Sequence, residues 1–266
     1  DRNRTSPIAF TGNKFEFRAV GSSQNPSEAS TMLNLMATYG YYLIEKRLAE
    51  MGGKADIKEK ALLVLKDVFK KTRRVRFEGN GYSDEWHKEA KRRGLPNARN
   101  TPDALEAYLE KEVIELMAKS HVLTERELRA KVEVKLENYV KTKEIEYKAA
   151  LDIARTQILP CLTRQITQTA SALGALQNAG VESKVFVIEV KKFEELFADV
   201  QNGILGLEKV LHVAESKKSP HQVANCLAAE GEKALAELRL AVDSAEKVVA
   251  DDLWPMAKYQ ELLTVL

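Results

Sequence analysis

The chain has 266 residues, 44% of them hydrophobic and 30% charged, enough for one large or two ordinary domains around a sizeable core. That balance excludes a disordered chain and fits a soluble helical protein. With 41 basic and 39 acidic residues the net charge is +2, which argues against a dedicated nucleic-acid binder, and no apolar run approaches the roughly 20 residues of a membrane helix. No secretory signal is visible. Cys161 and Cys226 lie far apart and read as packed or half-exposed thiols of a reducing cytoplasm. The four histidines form no His-x-x-x-His pair, so no zinc site is expected.

The first eighteen residues, DRNRTSPIAFTGNKFEFR, carry the one charge pattern that suggests chemistry. Thr11-Gly12-Asn13 reads as a turn. Asn13 to Arg18 then alternates: Lys14, Glu16 and Arg18 point to one side of a strand, and Phe15 and Phe17 to the other, where two rings can be buried. From spacing alone a salt-bridged strand face is favoured. The sharper reading is a site in which the carboxylate holds a divalent metal and the cations hold phosphate oxygens.

Asp1 to Arg18 resembles a signature block of the long, type III glutamine synthetases. In that wider family a strand reading Arg-x-Glu-x-Arg supplies an ATP-phosphate contact, a metal ligand and a contact to the reacting substrate. The resemblance implies that Glu16 is the metal ligand, that Arg18 is the catalytic contact to substrate or phosphate, and that Lys14 stands where the family's first Arg touches ATP. Asn3-Arg4-Thr5 resembles the family's Asn-Arg-Ser segment, which makes Arg4 a nucleotide-phosphate contact, with Arg2 less clearly placed.

Further along, Gly21 to Pro26 is a loop, and Ser27 is expected to cap a helix running to about Glu50, with Leu33, Met36, Tyr39 (or Gly40) and Leu43 at helical spacing, ended by Met51-Gly52-Gly53. A second helix is expected over Asp56 to Lys71 with Leu62, Leu65 and Phe69 inward, then a short strand over Val75 to Glu78. The basic run Lys70 to Arg76 reads as a solvated helix end. Ser83 caps a helix ending at Gly94; the acids Asp84 and Glu85 in its first turn would repel phosphate. Thr101 as N-cap and Pro102 open another helix, with Leu105, Leu109, Val113 and Leu116 buried.

Thr124-Glu125-Arg126-Glu127 is a capping box, and helical spacing continues to about Asn178, a helix on the order of 80 Å that should project and kink at Pro160. Val185 to Val190 is open between strand and helix start; Phe193 to Leu211 is helical, weakened at Gly203 and Gly206 by about 1 kcal/mol each. Ser219-Pro220 opens a third helix reaching Val249. Three such helices with short turns predict an antiparallel bundle. The closing Asp251 to Tyr259 is an aromatic-rich tail expected to dock on a core. Residues 79–105, the start of the Thr124 helix and this ending also resemble type III glutamine synthetase.

The expected fold is mainly α with a small β part (α+β): a C-terminal piece of a glutamine synthetase catalytic domain over 1–122, a projecting helical bundle over 123–250 and a docking tail over 251–266. The chain begins at Asp and is expected to be the C-terminal part of a longer protein, without turnover by itself. The resemblance implies a cytoplasmic enzyme joining glutamate and ammonia with ATP and Mg²⁺ (or Mn²⁺), through a γ-glutamyl phosphate, in hexameric rings paired as a dodecamer. The alternatives are a non-enzymatic helical scaffold, with Leu123 to Ala250 as an interaction arm, and a guanidino kinase, which shares a related sheet and phosphoryl chemistry.

Overall fold

A computed structural model describes residues 8–10, 14–18, 25–53 and 56–264. These residues are mostly helical, with almost no strand. They divide into two compact units, one drawn from Asp1–Arg99 and Leu109–Leu128, the other from Asn100–Tyr108 and Arg129–Leu266.

In the first unit the β part is a single ribbon. Strands β1 (Ile8–Phe10) and β2 (Phe15–Phe17) pair antiparallel, with Ile8 opposite Phe17 and Ala9 opposite Glu16. The expected turn at Thr11 to Asn13 lies outside the described residues. Phe17 is 48% exposed, contrary to the expected buried face, because a two-stranded ribbon carries no second layer. No strand forms over Val75 to Glu78. Thr72–Val75 is a 3-10 turn, and carbonyls in and around it are claimed by arginines: Arg93 donates to the Arg74 and Arg76 carbonyls, and Arg76 to that of Phe69.

Helix α1 (Ser27–Glu50) begins one residue early for a Ser27 cap; Asn25 Oδ1 instead accepts from the Ser27 amide at 2.9 Å. It packs on α2 (Ile57–Lys71), where Asp67 pairs with Arg47 of α1 and with Lys71. The inward face of α2 is carried by Val64, while Leu62 and Phe69 are 68% and 58% exposed, reversing the expected stripe. Apolar residues line more than one side of α2, so their spacing could not select the side that meets α1. Helix α3 (Asp84–Arg92) has its predicted cap, Ser83 Oγ accepting from the Trp86 amide, and ends at Gly94 in a left-handed conformation.

The helix expected from Thr101 past Leu116 is two helices. Helix α4 (Thr101–Glu106) belongs to the second unit and α5 (Lys111–Lys119) to the first. A 3-10 turn and an extended Glu110 separate them. Asn100, not Thr101, caps α4, its Oδ1 accepting from the Asp103 amide at 2.8 Å.

The second unit is built on long helices. The capping box is formed as expected: Glu127 Oε2 accepts from the Thr124 amide and Thr124 Oγ1 from that of Glu127. Helix α6 (Glu125–Ile153) runs through a π turn at Ala154–Ile158 into α7 (Leu159–Asn178). The wide turn lies just ahead of Pro160, where a helix must accommodate a missing donor and the bulk of the ring. Gly180, with positive φ, stops α7 as expected. Helix α8 (Lys184–Glu215) settles Val185 to Val190 as helix and packs against α7. The third expected helix is also interrupted: α9 (Pro220–Cys226) passes through a π turn at Leu227–Gly231 into α10 (Glu232–Glu246). A core that includes Ile158, Leu162, Ile204, Leu207, Leu227 and Leu238 joins these helices, and Trp254 is buried in it ahead of α11 (Tyr259–Thr264). The Ala250 amide donates to Gln165 Oε1 of α7 at 3.0 Å.

The second π turn has a visible cause. Tyr147 of α6 is fully buried, and its hydroxyl donates to the Leu227 carbonyl at 2.8 Å and to Glu232 Oε1 at 3.2 Å. Gly231 leaves the ring its space; a Cβ there would sit 2.5 Å from Tyr147 Cε2. A side chain inserted into the ladder widens the turn.

Candidate functional site

Strand β2 and its flanks bring three of the four residues singled out in the sequence onto one face. Arg18 Nη2 donates to Glu16 Oε2 at 2.9 Å, and Lys14 Nζ stands 3.8 Å from Glu16 Oε1. Alternation along an extended chain puts these residues, two apart, on the same side. The Arg18 hydrogen bond outweighs the opposing effect of burial and, with the charges of Arg18 and Lys14, holds the Glu16 carboxyl below the usual carboxylate range. Glu16 is thus ionised at neutral pH and partly open to solvent. Arg4 lies outside the described residues.

The donor set fits one position of a hard-cation site. A carboxylate oxygen is a suitable ligand for Mg²⁺ or Mn²⁺, and the neighbouring cations suit phosphate oxygens. Among the described residues, no three His, Cys, Asp or Glu side chains come together as a metal site. Among the described residues, Glu16 is thus a candidate for one ligand and not for a complete sphere.

Other groups serve structure. Cys161 and Cys226 are buried free thiols, and burial pushes both up from their ordinary range. The basic run 70–76 is partly spent on local bonds: Lys71 on Asp67 and Arg76 on the Phe69 carbonyl. Among the described residues no helix is long and apolar enough to cross a membrane.

The polar cluster around Tyr147 escaped the sequence reading. Lys143 Nζ bonds Glu146 and Glu232, each at 2.7 Å. Burial pulls the Lys143 ammonium down, but the two carboxylates more than offset it and raise it to about 12. Burial, followed by the Glu232 charge, pushes the Tyr147 phenol up. Partners 80 and more positions apart leave no local spacing signal.

Known proteins resemble this chain over nearly its whole length. The family described as glutamine synthetase C-terminal domain matches residues 61–177. The chain is 35% identical over 271 residues to the type-3 glutamine synthetase of Dictyostelium discoideum, covering 99% of this chain and 37% of that protein. It is 31% identical over 275 residues to a glutamine synthetase of Bacteroides fragilis (strain YCH46), with 99% and 37% covered. A glutamine synthetase of Butyrivibrio fibrisolvens is 30% identical over 278 residues, with 99% and 38% covered. The chain spans less than two-fifths of the length of these relatives. Nearly all of this chain aligns with each of them, so the chain is similar to part of these glutamine synthetases and, over 61–177, to a glutamine synthetase C-terminal domain.

Proposed function

We propose that this chain is the C-terminal region of an ATP-dependent glutamate–ammonia ligase. The observation that carries the reading is the Lys14–Glu16–Arg18 face, an ionised carboxylate held between two cations on one strand. Glu16 would hold Mg²⁺ or Mn²⁺, which when bound neutralises charge on a phosphoryl group in transfer. Arg18 would orient and stabilise oxygens of the phosphoryl or carboxylate group, and Lys14 and Arg4 would contact the phosphates of ATP. In the overall reaction the terminal phosphoryl of ATP passes to the side-chain carboxylate of glutamate. Ammonia attacks the carbonyl carbon, the C–O bond to phosphate breaks, phosphate leaves with the electron pair, and a proton is released.

Glu16 supplies one ligand, so the reading requires further carboxylates from additional polypeptide, in keeping with relatives of more than twice this length. The proposed organisation is a catalytic-domain portion over 1–122, an antiparallel helical bundle over 123–250 and a docked tail over 251–266. The assembly is a cytoplasmic homo-oligomer of hexameric rings, probed by exposed apolar side chains such as Ile145, Ile188 and Leu240. The test is phosphate release dependent on ATP, glutamate and ammonia. The 266-residue chain alone should give none, and substantial turnover by it would overturn the incomplete-site reading.

One observation favours a second reading, a non-enzymatic helical scaffold: the extensive core lies in the helical unit, and no group of metal ligands is complete among the described residues. Partner binding by the helical unit, with no ligase activity in any protein that contains this sequence, would select it.

A further inference from the structure

Within the first unit, α1 and α5 enclose a cleft of about 450 Å³ that the ligase reading leaves unused. Its volume is in the range of small-molecule sites. Val113 and Leu116 of α5 contribute apolar surface, and Tyr39 and Tyr42 of α1, three apart on one helical face, contribute two rings. The cleft already contains an ammonium: Lys119 Nζ lies 3.7 Å from the centroid of the Tyr42 ring. Hydrogen bonding and the charge of that ammonium hold the Tyr42 phenol below its ordinary range. Tyr39 has no such cation on it among the described residues, and it is 46% exposed.

The charged groups at the cleft are Glu112, Glu115 and Lys119, a net charge of −1. Glu115 stands 3.7 Å from Lys111, whereas Glu112 has no ion-pair partner among the described residues. An unpaired carboxylate beside an open aromatic ring and an apolar wall is a receptor for a positive charge on an apolar body. We propose that this cleft binds a small organic cation, a primary ammonium carried on an apolar group, with Tyr39 and Glu112 receiving the ammonium and Leu116 and Val113 the apolar part. Lys119 is the cleft's own competitor, occupying one ring and opposing a second positive charge.

The test uses the full chain and calorimetric titration with phenethylammonium, with neutral 2-phenylethanol and zwitterionic phenylalanine as comparisons. Phenethylammonium should bind saturably and about tenfold more tightly than the alcohol, ~1.4 kcal/mol. Glu112→Gln should weaken it by a similar factor. Lys119→Met, which frees the Tyr42 ring and removes the opposing charge, should tighten it. Circular dichroism of each variant checks that the helices persist. Binding of phenylalanine in preference to the amine, weakening by Lys119→Met, or no saturable binding of the amine would each overturn the proposal.

Discussion

Replacing Gly231 by Ala should destabilise the helical unit, although alanine is the better helix former. A Cβ at this position would lie 2.5, 2.8 and 2.9 Å from Cε2, the hydroxyl oxygen and Cζ of Tyr147. The ring cannot retreat cheaply, being fully buried with its hydroxyl bonded to the Leu227 carbonyl. Overpacking of this kind costs about 1–3 kcal/mol, and disturbing the buried hydrogen bond about 1 kcal/mol more. The helix-propensity gain offsets about 1 kcal/mol, leaving a net loss near ~2 kcal/mol. For a protein of this size that lowers the melting temperature by about 4–8 °C. Thermal unfolding followed at 222 nm by circular dichroism measures it. The partner experiment is Gly231→Ala in a Tyr147→Leu background, where the ring is gone and the same substitution should become neutral or stabilising. Wild-type stability or better for Gly231→Ala alone would refute the insertion of Tyr147 as the cause of the wide turn.

Gly203 and Gly206 should behave oppositely. A Cβ at Gly203 would meet the Leu238 backbone at 2.8 Å, so Gly203→Ala should lower stability, while Gly206 faces open space and Gly206→Ala should raise it by up to about 1 kcal/mol; paired urea melts of the two variants check the difference in sign. Tyr147→Phe removes the donor to the Leu227 carbonyl and should cost about 1–3 kcal/mol in the same assay. Hydrogen bonds from Arg92 and Arg93 lower Glu89 from 4.5 to about 2. A depressed folded value means that its contribution is complete above about pH 4.5 and fades as the pH falls through about 2, so side-chain carboxyl NMR should show Glu89 titrating near 2; a midpoint at its ordinary value would remove the Arg92–Glu89–Arg93 clamp from the account.

What the sequence made legible was local. The Thr124–Glu127 box, the Ser83 cap and the Gly94 and Gly180 stops involve groups within five residues of one another, and each formed where the residue types require. The alternation of Lys14, Glu16 and Arg18 was equally local, and the structure brings the three together. Where competing local acceptors were available, position slipped: Asn100 Oδ1 took the capping bond expected of Thr101, and Asn25 Oδ1 accepts from the amide of Ser27, which caps nothing. The interruption of the third helix depends on Tyr147, 80 positions from Leu227, and no periodicity within that helix could announce it. The inward face of α2 failed for a related reason, since several sides are apolar and only the position of α1 distinguishes Val64 from Leu62.

The most direct test of the proposed ligase site is Glu16→Ala in the complete gene product that contains this sequence, with glutamine formation measured across Mg²⁺ concentrations and folding checked by circular dichroism. The account predicts a folded protein with weakened metal dependence and a strong loss of turnover. Unchanged turnover at saturating Mg²⁺ would contradict the assignment of Glu16 as a metal ligand.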